Sequence, residues 1–348
     1  MVASLHPSTT PIRVLSTRSF DAAWLDQLRA ISPRLVIDQV TADTVDQVPA
    51  SVWANVEVLY TWGALPDPAQ APNLRWVQLD TAGVNHLLDT PLWDSDVILT
   101  TLNGVAPSNM AEFAIMMMMA FGHRLPLMLD LQRRREWPSF QFRWDNFTPH
   151  ELRGATLGVI GYGAIGRELG RLAHAFGMRV LGMNRSGHSS ARPLTFAIPA
   201  LQGLPGGEPD ALFTPERIGE MVAACDYVVV IAPYTEATHH LVDEAALRAM
   251  KPNAVLINIA RGGVVDETAL IRALQEGWIG GAALDVFEQE PLPTDSPLWG
   301  MPNVIISPHA AGFTPRYYDV IQELFGENLR RYLAGEPLLN QVDRMRQY

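Results

Sequence analysis

The segment TLGVIGYGAIGRELGRLAHAFG, residues 156–177, restricts the fold of this chain more than any other feature. An apolar, β-branched run enters GYGAIG, and an amphipathic, helix-forming run leaves it. A parallel α/β sheet places a dinucleotide-binding turn in that setting. Gly161 permits the tight turn, Gly163 lets backbone approach a pyrophosphate, and Gly166 lets the helix pack on the strand. The helix amides at Ala164, Ile165 and Gly166 supply donors and positive potential. No lysine is needed there, and Lys251, the only lysine, sits in a Lys-Pro-Asn turn far from any glycine loop.

Five short β-rich runs (IRVLST, RLVIDQV, VEVLYTW, LRWVQLD, VILTTL) alternate with turn-like or amphipathic segments between Pro11 and Leu102. They predict a first parallel α/β domain. A second series (LGVIG, RVLGMN, YVVVIA, AVLINIA, AALDVF, VIISPH) predicts six strands of a doubly wound sheet. Ala111 to Arg124 is apolar on every side, as in a helix buried between domains or subunits. DVIQELFGENLRRYLAG predicts a final helix ending at Gly335, whose tail packs back on the first domain. Ser186 to Pro215 is rich in Pro, Gly and Ser and reads as an irregular excursion.

Composition removes several function classes. The net charge of −11 opposes nucleic acid, and the apolar run 113–122 is too short to span a bilayer. One cysteine, Cys225, excludes an internal disulfide and any multi-cysteine metal centre, and it reads as a buried filler. No metal site is expected, since His239 and His240 are adjacent without an HExxH context. The N-terminus shows no basic flank ahead of an apolar block, so a cytoplasmic location is expected.

The strand after the glycine turn ends in MNRSG. Asn184 stands where an NAD site has a carboxylate, about 20 residues beyond the fingerprint. Asn184, Arg185 and Ser186 can all donate hydrogen bonds to a 2′-phosphate that a carboxylate would repel, which favours NADP over NAD.

Three later segments each present a polar residue at a strand end: NIARGGVVDE with Arg261, ALDVFEQEP with Glu290, and VIISPHAAG with His309. With LDTAGVNHL, MAEFAI, ELRGATLGVIGYGAIGRELG and ENLRRYLAGEPLLNQVD, they resemble the D-isomer-specific 2-hydroxyacid dehydrogenases, of the glyoxylate/hydroxypyruvate reductase type, over most of the chain. The resemblance implies that His309 is the acid/base, Glu290 its carboxylate partner and Arg261 the holder of the substrate carboxylate. The chemistry requires the same groups, because hydride arriving at a keto carbon leaves charge on oxygen that a histidinium can neutralise. By resemblance, backbone amides of Ala82, Gly83 and Val84, beside Thr81, meet the substrate, with His309 and Arg261 opposite. Asp285 then borders the nicotinamide amide, and Pro233, Thr238 and Ala260 line the cofactor. Tyr60 and Trp62 are read equally as pocket wall or core.

The expected architecture is α/β with two doubly wound parallel-sheet domains. A smaller flavodoxin-like substrate domain takes 1–104 and is completed by 314–348; a Rossmann dinucleotide-binding domain takes 105–313. A homodimer paired through 111–144 is expected, because water is a poor partner for so apolar a helix. Two alternatives stand beside an enzyme of 2-keto acids. One is a cofactor-sensing binding module on the same fold. The other is a relative acting on a small anion such as formate, against which Glu290 speaks, since formate-type relatives carry glutamine there.

Overall fold

In a computed structural model, residues 10–188, 195–198 and 204–348 are described, and they form two units. Unit one holds, among these, 10–105, 195–198 and 315–348; unit two holds 106–188 and 204–314. The stretch 195–198 therefore belongs with unit one, whereas the sequence-based division leaves it with 105–313.

Unit one is built on strands β1 (Ile12–Ser16), β2 (Leu35–Gln39), β3 (Val58–Thr61), β4 (Trp76–Leu79) and β5 (Ile98–Thr100). All pair in parallel, in the order β2-β1-β3-β4-β5, which is the flavodoxin-like arrangement. β3 and β4 are buried along their whole length, as strands covered on both faces must be. Helices α1 (Ala22–Ala30) and α2 (Ala50–Trp53) lie between strands. The C-terminal helix α10 (Tyr317–Ala334) belongs to this unit. Its Phe325 ring lies 5.0 Å from Tyr60 and 5.6 Å from Trp76. Gly335, at φ 69°, ends the helix in the left-handed conformation that glycine adopts without strain. The tail then docks on β5, with Val342 N donating to Leu99 O at 2.9 Å.

Unit two opens with α3 (Pro107–Gly122), α4 (Leu125–Arg134) and α5 (Phe140–Phe147). Strands β6 (Thr156–Ile160), β7 (Arg179–Met183), β8 (Ala211–Phe213), β9 (Tyr227–Val230), β10 (Val255–Asn258), β11 (Gly281–Leu284) and β12 (Val304–Ile306) follow. They make a parallel sheet in the order β12-β11-β10-β9-β6-β7-β8. One face is covered by α3 and α6 (Ala164–Ala175). The other is covered by α7 (Ile218–Ala224), α8 (Glu244–Ala249) and α9 (Glu267–Gln275). Cys225 is buried, as expected of a filler, and burial pushes its thiol up to about 12.

Two expectations need correction. The sheet has seven strands rather than six. The extra one, β8, is a half-buried, three-residue edge strand inside the stretch 186–215, where Pro and Gly mask its short apolar run. That stretch is consequently not wholly irregular, and its Phe196 is buried, donating from its backbone N–H to Asn340 Oδ1 at 2.8 Å. Within a single chain α3 has one open side. Its Ala111, Ala114, Ile115 and Met118 face the core, while Met116 is 50% and Met119 40% exposed. A helix can satisfy only one face against its own sheet, so a uniformly apolar sequence leaves an apolar stripe outside. Among the described residues no single helix is long and apolar enough to cross a membrane; α3 and α4 pass that test only as a pair bent by 62°.

Candidate active site

The glycine turn lies at the carboxyl end of β6, where the order of strands reverses between β6 and β9. Gly161 has φ 101°, and a Cβ there would stand 2.5 Å from Ala232 N, so only glycine lets the turn meet the loop after β9. Gly163 has nothing within 4 Å of where its Cβ would be. It precedes α6, whose first turn, Ala164, Ile165 and Gly166, has no side-chain cap and no acidic residue. Open backbone leading to an uncapped helix N-terminus fits a pyrophosphate. Tyr162, between these glycines, turns inward; its hydroxyl donates to Gly207 O at 3.0 Å.

At the end of β7, Asn184 has a different task from the one its position suggests. Its Oδ1 accepts from Ser186 N at 3.1 Å and Gly187 N at 2.8 Å, and its Nδ2 donates to His188 O at 3.0 Å. The side chain folds the turn, and Arg185 and Ser186 remain exposed on it. Asn184 thus folds the turn that carries Arg185 and Ser186.

Unit two gathers Arg261, Glu290 and His309 on the loops following β10, β11 and β12. His309 Nδ1 is 2.7 Å from Glu290 Oε2, and Glu290 Oε1 accepts from Phe287 N at 3.0 Å. With Nδ1 committed to a carboxylate, the ring is oriented and Nε2 is left as its other polar atom, on a side chain that is 47% exposed. The backbone of His309 is left-handed at φ 52°, and its N–H donates to Asp285 O at 2.9 Å. Asp285 is 2% exposed and accepts from Ser307 Oγ, Ala310 N and Ala311 N at 2.6, 2.8 and 2.9 Å. Its carboxylate thus shapes the turn that carries His309.

Arg261 is half-buried; burial lowers its pKa, and the nearby Glu290 carboxylate acts the opposite way. Nη1 donates to Ala260 O at 2.7 Å, yet no carboxylate lies within ion-pair distance among the described residues. A partly desolvated guanidinium without an ion pair has donors to spare for an incoming anion. The following Gly262 is obligatory, because a Cβ would stand 1.9 Å from Phe287 C. Asn258 was not singled out from the sequence, although a polar residue closing the apolar run VLIN was the available signal. Buried at 1% exposure, it donates to Arg261 O at 3.1 Å and accepts from Ala260 N at 3.1 Å. Pro233 and Thr238 are joined in the loop after β9, Thr238 Oγ1 donating to Pro233 O at 2.7 Å.

In unit one the loop Thr81, Ala82, Gly83 and Val84 follows β4; Thr81 Oγ1 donates to Gly83 O at 2.8 Å, Ala82 is exposed and Val84 buried. Tyr60 and Trp62 part company. Tyr60 is buried among Phe20, Trp24 and Phe325, its hydroxyl donating to Asp80 Oδ1 at 2.6 Å. Burial above all, then Asp80, drives its pKa well up. Trp62 is 53% exposed.

Residues 115–311 match the family described as D-isomer specific 2-hydroxyacid dehydrogenase, NAD binding domain. The chain is 35% identical to a glyoxylate reductase of Thermococcus gammatolerans over 268 residues, covering 76% of this chain and 75% of that one. It also resembles the crystal structure of a D-isomer specific 2-hydroxyacid dehydrogenase family protein from Aeromonas salmonicida. The TM-score is 0.78 and the identity 33%, over 96% of this chain and all of that one. A D-isomer specific 2-hydroxyacid dehydrogenase from Xanthobacter autotrophicus, in complex with NADPH and MES, matches at TM-score 0.78 and 30% identity over 98% of this chain and all of the other. With a nucleotide cradle on β6 and an imidazole–carboxylate pair beside an arginine open to anions, the chain belongs to the D-isomer-specific 2-hydroxyacid dehydrogenase family and is an NAD(P)-dependent oxidoreductase.

Proposed function

We propose that this enzyme reduces a small 2-keto acid of the glyoxylate type to the D-2-hydroxy acid and prefers NADPH. The observation carrying the reading is the juxtaposition of Arg261, without an ion pair, and the Glu290–His309 couple. The nicotinamide cofactor, when bound, supplies the hydride that reaches the 2-carbon. Arg261 holds the substrate carboxylate and polarises the carbonyl, as its planar fork allows. As the carbonyl π pair withdraws to oxygen, His309 Nε2 delivers a proton to it, while Glu290 holds the ring through Nδ1.

The backbone of Gly161, Gly163, Ala164, Ile165 and Gly166 would hold the pyrophosphate, and Arg185 with Ser186 the 2′-phosphate. NADPH is therefore expected to exceed NADH in kcat/KM. Arg185→Ala should narrow that gap by about ten- to a hundredfold, the worth of one charge-assisted hydrogen bond. Asn184→Asp keeps an acceptor for the two turn amides while adding a negative charge, and should move preference toward NADH. Initial rates with both cofactors check this; equal efficiency in the parent would remove the NADP assignment. The Xanthobacter relative, solved with NADPH, supports it.

We further propose a homodimer through the outer side of α3 to α5. Met116, Met119, Leu125, Met128, Leu129 and Trp144 are all exposed there. Each is 40–64% exposed, so covering it stabilises by roughly half of the 1.5–3 kcal/mol that full burial of such a side chain gives. Light scattering at micromolar concentration should give twice the chain mass, and Met119→Glu should shift the species toward monomer. A stable monomeric parent would contradict the proposal.

A further inference from the structure

One titratable cluster of unit two takes no part in the reaction outlined above. His240, Glu267 and Glu288 stand respectively on the loop after β9, at the start of α9, and on the loop after β11. His240 Nε2 lies 2.8 Å from Glu288 Oε1, and the same oxygen accepts from Glu267 N at 3.1 Å. In return, Glu288 N donates to Glu267 Oε2 at 3.1 Å. His240 N donates to Gly263 O at 2.8 Å, from a left-handed backbone at φ 50°. Asp266 completes the surroundings, its Oδ1 capping α9 through Ala269 N at 2.9 Å.

These bonds tie together two loops that each carry a reacting group. The turn 261–265 begins with Arg261 and leads directly to Glu267, while Glu288 lies two residues before Glu290. Between them Gly262 packs on the backbone of Phe287 and Glu288 with no room for a side chain. The Glu288 carboxylate and backbone N–H, together with the Gly262 packing, hold the two loops against each other.

We infer that Glu288 is a positioning residue, clasped by His240 and the Glu267 amide so that the Arg261 turn and the Glu290 loop keep a fixed separation. This rests on the functional reading given above for Arg261 and Glu290. The clasp differs from a merely stabilising ion pair. His240 and Glu288 are 36% and 37% exposed, and pairs so open to water add little to stability. A displacement on the order of 1 Å between reacting groups, by contrast, can lower a rate by about 10²-fold.

The test compares Glu288→Ala and Glu288→Gln in the full chain. The alanine variant should lose at least about tenfold in kcat/KM for a 2-keto acid, through both a higher KM and a lower kcat, while KM for NADPH stays within about twofold. Its backbone amides at Val264 and Val265 should exchange with deuterium faster than in the parent. Glutamine still offers an oxygen to both donors and should restore activity to within about threefold. If Glu288→Ala does not fold, His240→Asn replaces it with the same expectations, because asparagine tolerates the left-handed backbone. Near-parental kcat/KM and exchange in Glu288→Ala, or equal impairment of the glutamine variant, would overturn the inference. Exchange is measured without substrate, so it judges the clasp even if the parent reduces no 2-keto acid, an outcome that would defeat the functional reading alone.

Discussion

His309→Ala is expected to lower kcat by on the order of 10²–10⁴ while leaving NADPH binding intact. The loss follows from geometry: the ring is fixed by Glu290 Oε2 at 2.7 Å and by its backbone bond to Asp285 O. His239 and His240 stack on each other at 3.8 Å on a different loop, so neither can substitute. Glu290→Gln keeps an oxygen for Nδ1 and should cost less than His309→Ala, because the ring stays oriented. Steady-state kcat and NADPH affinity of the two variants and the parent check both expectations. A parental kcat in His309→Ala would mean that another group supplies the proton.

Arg261→Lys is expected to lower both kcat and kcat/KM by about 10²–10³-fold, the usual consequence of removing a donor aimed at developing charge. Lysine keeps the positive charge but cannot engage a carboxylate and the adjacent carbonyl oxygen at once. Were the arginine only an anchor, KM alone would rise. Were it only a brace for its own turn, through the bond from Nη1 to Ala260 O, thermal stability would drop and kcat/KM would stay within about threefold. Steady-state kinetics on the folded variant separates the three outcomes.

Local patterns carried much of this account. The strand–glycine–helix setting of Gly161 to Gly166 was readable because each glycine acts within a few residues of itself, and the sheet order now places that turn at the strand reversal. Apolar runs such as YVVV and VLIN announced fully buried parallel strands. β8 escaped, since three half-buried residues at a sheet edge leave no periodic signal. Side-chain partnerships across long separations escaped for the same reason. That Asp285 shapes the His309 turn, or that Glu288 joins His240 across 48 residues of chain, depends on the folded sheet rather than on spacing. The Asx-type turn that Asn184 forms with the Ser186 and Gly187 amides is a further local bond that its position alone did not announce.

The most direct measurement is NADPH consumption by the unmodified protein with a panel of 2-keto acids that includes glyoxylate and hydroxypyruvate, followed by chiral analysis of the product. The account predicts saturable oxidation of NADPH with at least one of them, and the D-isomer wherever the product is chiral. Tight NADPH binding with no turnover of any 2-keto acid would contradict it and favour a cofactor-sensing protein on the same fold.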